Sequence, residues 1–162
     1  MACSAATAVL LLFTAPLGSA ESARRRIAPE RWALITGASS GIGAALAREA
    51  AARGHNVLLT SRRRPQLRRL AAELEATYPG CRADTLACDL ATHRGVAAVR
   101  RRSARIRGLT LVALNAGAAY GGPATEQPEV AVREMIGLNV GAPVALATHF
   151  GERFAREKAG GG

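Results

Sequence analysis

At 162 residues and 49% apolar content, the chain is long enough to bury one hydrophobic core and fits a single domain. Only 4% of it is aromatic, so alanine, leucine and valine must fill that core, which suits small-residue helices layered on aliphatic strands better than an aromatic-rich β-sandwich. The net charge of +10 is almost entirely arginine, with Lys158 the single lysine. The triplets Arg24–Arg26, Arg62–Arg64 and Arg100–Arg102 lie far apart without interleaved aromatics, which argues against a nucleic-acid platform.

In chain order, residues 1–30 form a leader and linker. Ala5–Ala15 is apolar and uncharged, Pro16 and Gly18 break it, and Ser19-Ala20 offers the small residues a signal peptidase prefers. The stretch reads as a secretory or endoplasmic-reticulum leader, or as the first part of an organelle-targeting signal; Arg24–Arg26 beyond it suit a membrane-surface contact. Against this, the segment before the apolar run has no Lys or Arg, and the run is short for a membrane span. The competing reading is a start upstream of the true one, in which case the protein is cytoplasmic.

Trp32–Thr36 is a strand that breaks into the glycine turn Gly37-Ala38-Ser39-Ser40-Gly41-Ile42-Gly43, and a helix from about Ile42 to Arg53 follows, closed by Gly54. Strand, glycine turn and helix N-terminus are the parts of a phosphate cradle: the backbone approaches closely, and the free N–H groups face the anion. Asn56–Thr60 is a continuous apolar run, the pattern of a strand buried on both faces. Pro65 opens a helix with Leu67, Leu70 and Leu74 at helical spacing, ended by Tyr78-Pro79-Gly80. Residues 82–88 form a third strand reaching Asp89. A basic helix runs from Thr92 to about Arg107, and Gly108 stops it. Leu109–Leu114 is a fourth buried strand, ending in Asn115-Ala116-Gly117. A loop with Gly121, Gly122 and Pro123 leads to a long helix from Glu129 to Lys158, with a kink predicted at Gly141 and Pro143.

Cys3, Cys81 and Cys88 have no metal-ligand spacing and are read as free thiols; His55, His93 and His149 are isolated, so no metal site is expected. Strands alternating with helices predict right-handed βαβ units on a parallel sheet. Four strands in the order 3-2-1-4 would place the glycine turn, Asp89 and Asn115 at one crevice, above the carboxyl ends of the first and fourth strands.

Thr36-Gly37-x-x-x-Gly41-Ile42-Gly43, Asp89, Asn115-Ala116-Gly117 and Asn139, in this order and spacing over residues 31–158, resemble the short-chain dehydrogenases/reductases. The resemblance implies an α/β, Rossmann-like, doubly wound parallel sheet, here incomplete, and carbonyl/alcohol interconversion by hydride transfer. It implies that Thr36, Gly37, Ser39, Ser40, Gly41, Ile42 and Gly43 cradle the cofactor phosphates. Asp89 would accept from the adenine amino group, with Leu90 beside the ring. Asn115 would tie the fourth strand to the glycine turn through its side-chain amide, and Ala116 and Gly117 are small enough to admit the cofactor. Asn139 would hold a water in the catalytic proton relay. Taken singly, each has a plain structural alternative: a turn cap, a strand-end turn, a helix-surface amide.

Cofactor choice follows from charge. A carboxylate after the second strand would favour NAD and repel a 2′-phosphate, and there is no acidic residue from Gly54 through Leu70. Ser61, Arg62 and Arg63 follow the strand instead, so NADP is expected, with Arg62 the first choice for the phosphate and Ser39 as an added donor. The bland reading is a solvated charge run opening a helix.

The family's proton donor is a Tyr with a Lys four residues on, beside a Ser. Tyr78 has Arg82 at that position and Tyr120 has Ala124. In family order the Ser would follow Gly160–Gly162. The expectation is therefore a domain over 31–162 truncated before its fifth strand, a fragment with the fourth strand as an unpaired edge, which binds cofactor weakly, turns nothing over and aggregates. A small-molecule carbonyl or alcohol substrate and homo-oligomerisation would belong to a full-length form. The alternative is a non-catalytic nucleotide-binding or scaffold protein.

Overall fold

The computed structural model describes residues 11–14 and 30–159. The strands are β1 (Leu11–Thr14), β2 (Trp32–Thr36), β3 (Asn56–Ser61), β4 (Ala83–Ala87) and β5 (Leu109–Leu114). The helices are α1 (Gly41–Ala52), α2 (Arg64–Thr77), α3 (His93–Ala104), α4 (Glu129–Ile136) and α5 (Ala142–Ala159). The sheet order is β1-β5-β2-β3-β4, and the β4-β3-β2-β5 portion is parallel throughout, which is the expected 3-2-1-4 arrangement.

Alternation along the buried strands feeds two cores. Ala33, Ile35, Val57, Leu59 and Ala113 face one side, where the alanine stripe of α1 and Leu67, Leu70 and Leu74 of α2 cover them. Leu34, Leu58, Val112 and Leu114 face the other, covered by Val99 of α3 and by Leu146 and Phe150 of α5. Small residues let α1 lie close to the sheet, as the low aromatic content requires. Both faces are thereby closed by helices, and the carboxyl ends of β2, β3 and β5 are left to form a crevice.

One expectation is corrected at the edge. β5 does not end the sheet: Leu11–Thr14, inside the expected leader, pairs antiparallel with it, Leu11 opposite Leu114 and Thr14 opposite Leu111. An apolar strand offers unpaired N–H and C=O groups along its edge, and a second apolar segment of the same chain satisfies them. The outer strands of the sheet among the described residues are β1 and β4. Ser19-Ala20, Arg24–Arg26, Cys3 and Gly160–Gly162 lie outside the described residues.

The long C-terminal helix also departs from a simple kink. α4 and α5 are joined through a wider π-type turn over Gly137–Gly141, one turn ahead of Pro143, which cannot donate the backbone hydrogen bond that would regularise it. Gly137 packs against the Ala91 carbonyl, where a β-carbon would come within 2.8 Å of the oxygen. The turn therefore holds α4 against the loop after β4. α3 stops at Ala104, a little before the predicted end, and Gly108 takes a left-handed backbone (φ 72°) at the entry to β5.

Candidate functional site

The crevice is a groove of about 530 Å³ between the glycine turn, the ends of β3 and β4, and the segment leaving β5. Its floor is a buried knot. Thr36, 1% exposed, accepts backbone N–H bonds from Asn115 (2.8 Å) and Ala116 (3.0 Å) on its hydroxyl, which itself donates to the Ala113 carbonyl at 3.2 Å. Asn115 Nδ2 donates to the Thr36 carbonyl at 3.1 Å. These bonds join the end of β5 to the last residue of β2, just before the glycine turn.

Two glycines shape the turn in different ways. Gly41 has φ +56° and nothing within 4 Å of where a β-carbon would stand, so it is needed for backbone conformation and leaves open space above it. Gly43 is helical and packed: a β-carbon there would collide with the Gly37 carbonyl and come within 2.6 Å of Asn115 Nδ2. This close approach buries Gly43 and sets α1 with its N-terminus at the groove. The Ser40 side chain does not cap the helix, and the first turn carries no acidic residue. Its N–H groups and positive end are thus directed at whatever anion lies in the groove. Ile42 lines the groove and is largely exposed.

Across from the turn, the consecutive arginines diverge. Arg63 reaches back to it, Nε to Ser39 Oγ at 3.1 Å and Nη2 to Ser40 Oγ at 2.5 Å, and its backbone N–H donates to Ser61 Oγ at 3.1 Å. Arg62, the first choice from sequence, turns the other way and pairs with Glu134 of α4. Sequence order alone cannot tell which of two adjacent side chains faces the turn, because the strand ends at Ser61, before both of them. Both still line the groove.

The β4 side is formed by Cys88, Asp89 and Leu90. Asp89 Oδ1 accepts from the Ala91 N–H at 3.0 Å, so this carboxylate does cap its turn while lining the groove. Leu90 is 4% exposed and belongs to the second core, with only an edge toward the groove. Burial pushes the Cys88 thiol up, opposed by its 3.0 Å contact with the Thr60 hydroxyl, so it is a neutral wall rather than a nucleophile. Cys81 and Cys88 are both free thiols.

Ala116 and Gly117 complete the groove and lead into a strap that runs to α4. Asn139 sits in the π-type turn and not on the groove: Nδ2 donates to the Ala118 carbonyl at 2.7 Å, and Oδ1 accepts from the Ala118 N–H at 2.9 Å. Its amide is engaged with the strap's backbone, as a positioning group would be. Tyr120 donates to Glu134 Oε2 at 3.1 Å, and this bond to a carboxylate is the main reason its phenol is held above the ordinary tyrosine value.

Of the residues expected to hold a cofactor, all but Thr36 and Gly43 line one groove, and those two form its support. Sequence reasoning missed Cys88, Leu138, Glu134 and Tyr120. Leu138 had a signal in its neighbour Asn139; Glu134 and Tyr120 had none, since Glu134 meets Arg62 across 72 residues of sequence and Tyr120 joins them through its bond to Glu134.

A sequence profile described as short chain dehydrogenase matches residues 31–161. The uncharacterized oxidoreductase YmfI of Bacillus subtilis is 33% identical over 128 residues, 79% of this chain and 52% of that protein. The inactive hydroxysteroid dehydrogenase-like protein 1 of Rattus norvegicus is 32% identical over 123 residues, 74% of this chain and 36% of that protein. Among solved structures, a short-chain dehydrogenase from Sphingobium yanoikuyae in complex with NADPH is similar at TM-score 0.74 and 35% identity, over 78% of this chain and 49% of that one. The bulky-bulky ketone specific alcohol dehydrogenase from Comamonas testosteroni is similar at TM-score 0.75 and 34% identity, over 78% and 50%. The chain spans about half or less of the length of these relatives.

Proposed function

The chain belongs to the short-chain dehydrogenase/reductase family, and from that premise we propose that it forms the cofactor-binding part of an NADP(H)-dependent oxidoreductase acting on a small carbonyl or alcohol. When bound, the nicotinamide would supply or accept the hydride. The residues present fit such a group: the turn leaves open space above Gly41, a helix N-terminus without acidic neighbours faces it, and cationic side chains stand opposite.

The observation that carries the NADP reading is Arg63. Its guanidinium spans the groove to the Ser39 and Ser40 hydroxyls, where one cation and two hydroxyls converge on the space beside the glycine turn. A 2′-phosphate there would take charge-assisted bonds that an unphosphorylated ribose cannot. The NADPH in the Sphingobium structure named above supports the same choice. Thr36 and Asn115 keep the floor rigid, Asp89 and Leu90 bound the adenine end, and Asn139 positions the strap through Ala118.

A second reading, a nucleotide-binding protein without catalysis, draws on the chain's own residues: neither Tyr78 nor Tyr120 has a lysine four positions on. Fluorescence titration with NADPH and NADH tests the cofactor claim. Preference for NADPH by about tenfold is expected, and Arg63→Ala should remove most of it while leaving NADH affinity in place. Equal affinities in the unaltered chain would overturn the NADP assignment.

A further inference from the structure

Arg62, Glu134 and Tyr120 tie three separate elements together over one side of the groove. Arg62 follows β3, Glu134 stands on α4, and Tyr120 lies in the strap between β5 and α4. One Glu134 oxygen takes Arg62 and the other takes the Tyr120 hydroxyl. Arg62 still lines the groove, so its charge is shared between an internal carboxylate and any anion that enters. We propose that Glu134 is a specificity-determining residue: it competes with the cofactor's 2′-phosphate for Arg62, and phosphate binding releases Glu134 and, with it, Tyr120 and the strap. This rests on the NADP reading above.

The physics is a competition between two anions for one guanidinium. A carboxylate already seated on Arg62 reduces what that arginine can give a phosphate, and its own negative charge opposes the incoming one. The pair is solvent-accessible, with side chains 55% and 30% exposed, so it is weak enough to exchange. Arg63 is not part of the competition, since its partners are neutral hydroxyls. The two arginines thus divide the work: Arg63 stays at the turn as a fixed phosphate donor, and Arg62 couples phosphate arrival to the strap. An unphosphorylated ribose brings no anion to this place and leaves the tie closed.

Calorimetric titration of the full chain with 2′,5′-ADP and with ADP, on the unaltered protein and on Glu134→Gln and Tyr120→Phe, tests this. Glu134→Gln should raise affinity for 2′,5′-ADP about three- to fivefold and leave ADP unchanged, since the lost competitor is an exposed ion pair. Tyr120→Phe should act in the same direction and more weakly. In hydrogen exchange, 2′,5′-ADP should speed exchange of residues 118–127 in the unaltered chain, and ADP should not. If Glu134→Gln lowers or does not change 2′,5′-ADP affinity, or shifts both ligands equally, Glu134 is a structural ion-pair partner and the proposal fails. If the unaltered chain binds both ligands equally, the NADP reading itself fails; if it prefers 2′,5′-ADP and Glu134→Gln changes nothing, only the competition does.

Discussion

On one side of the groove, Thr36, Gly43 and Asn115 are buried and joined by hydrogen bonds between side chain and backbone and by contacts with no room for a β-carbon. On the other, Arg62, Glu134 and Tyr120 are at least partly exposed and joined through side chains only, by an ion pair and a hydrogen bond. The first wall has a single arrangement, because each of its polar groups would be left unpaired by any other. The second exchanges partners at little cost, because solvent and ions can replace each contact. A nucleotide site needs both: a fixed surface against which the phosphates are oriented, and a movable one that responds to what has bound.

The comparison breaks first at Gly43. Gly43→Ala puts a β-carbon against the Gly37 carbonyl and Asn115 Nδ2, and should cost about 2–4 kcal/mol and abolish NADPH binding, read from urea unfolding and titration. Gly41→Ala is its control. Open space surrounds that position, so only the left-handed backbone is strained, at about 1–2 kcal/mol.

Thr36→Val keeps shape and removes the acceptor shared by the Asn115 and Ala116 N–H groups. A loss of about 2–3 kcal/mol is expected from the stranded donors, measured by the same unfolding experiment. A loss below about 0.5 kcal/mol would mean that the floor is as replaceable as the strap.

Asn139→Ala tests the hinge between the two walls. It frees both Ala118 backbone groups and should cost about 1–2 kcal/mol, with faster hydrogen exchange at residues 116–120 and little change at 36–43. Exchange that rises equally on both sides would merge the walls into one unit.

The smallest effect lies outside both. His55 and His149 are held below the ordinary imidazole value, chiefly by burial and then by neighbouring arginines. The unfolded chain therefore binds more protons than the folded one in mildly acidic solution. The stability they contribute is present above the ordinary histidine value of about 6.5 and is lost as pH falls through the folded values. A shallow fall in melting temperature on acidification is expected, flattened by His55→Gln with His149→Gln, while the preference for 2′,5′-ADP over ADP changes little.

Much of the fold could be read from the chain in order. The apolar runs at 32–36, 56–60 and 109–114 are too short for helices and too continuous for half-exposed strands, so a buried parallel sheet was the remaining solution. The glycine turn was legible because glycine at 37 and 41, both with positive φ, answers a local backbone demand; Gly43 and Asn115 were legible only as members of an ordered motif, since they meet across the fold. The strap was not legible. Nothing near Glu134 or Tyr120 announces a partner, and an arginine triplet after a strand reads as a solvated run until the turn of each side chain is known.

What the sequence by itself determined, then, is the sheet, the glycine cradle and the excess of cation after β3, since period, turn chemistry and charge are properties of neighbours along the chain. Tertiary structure alone decided which arginine faces the cradle, that the Asn139 amide closes on Ala118, and that Leu11–Thr14 pairs with β5. These are choices among partners far apart in sequence. Burial, hydrogen-bond geometry and the need to satisfy an exposed strand edge select among them only once the chain has folded.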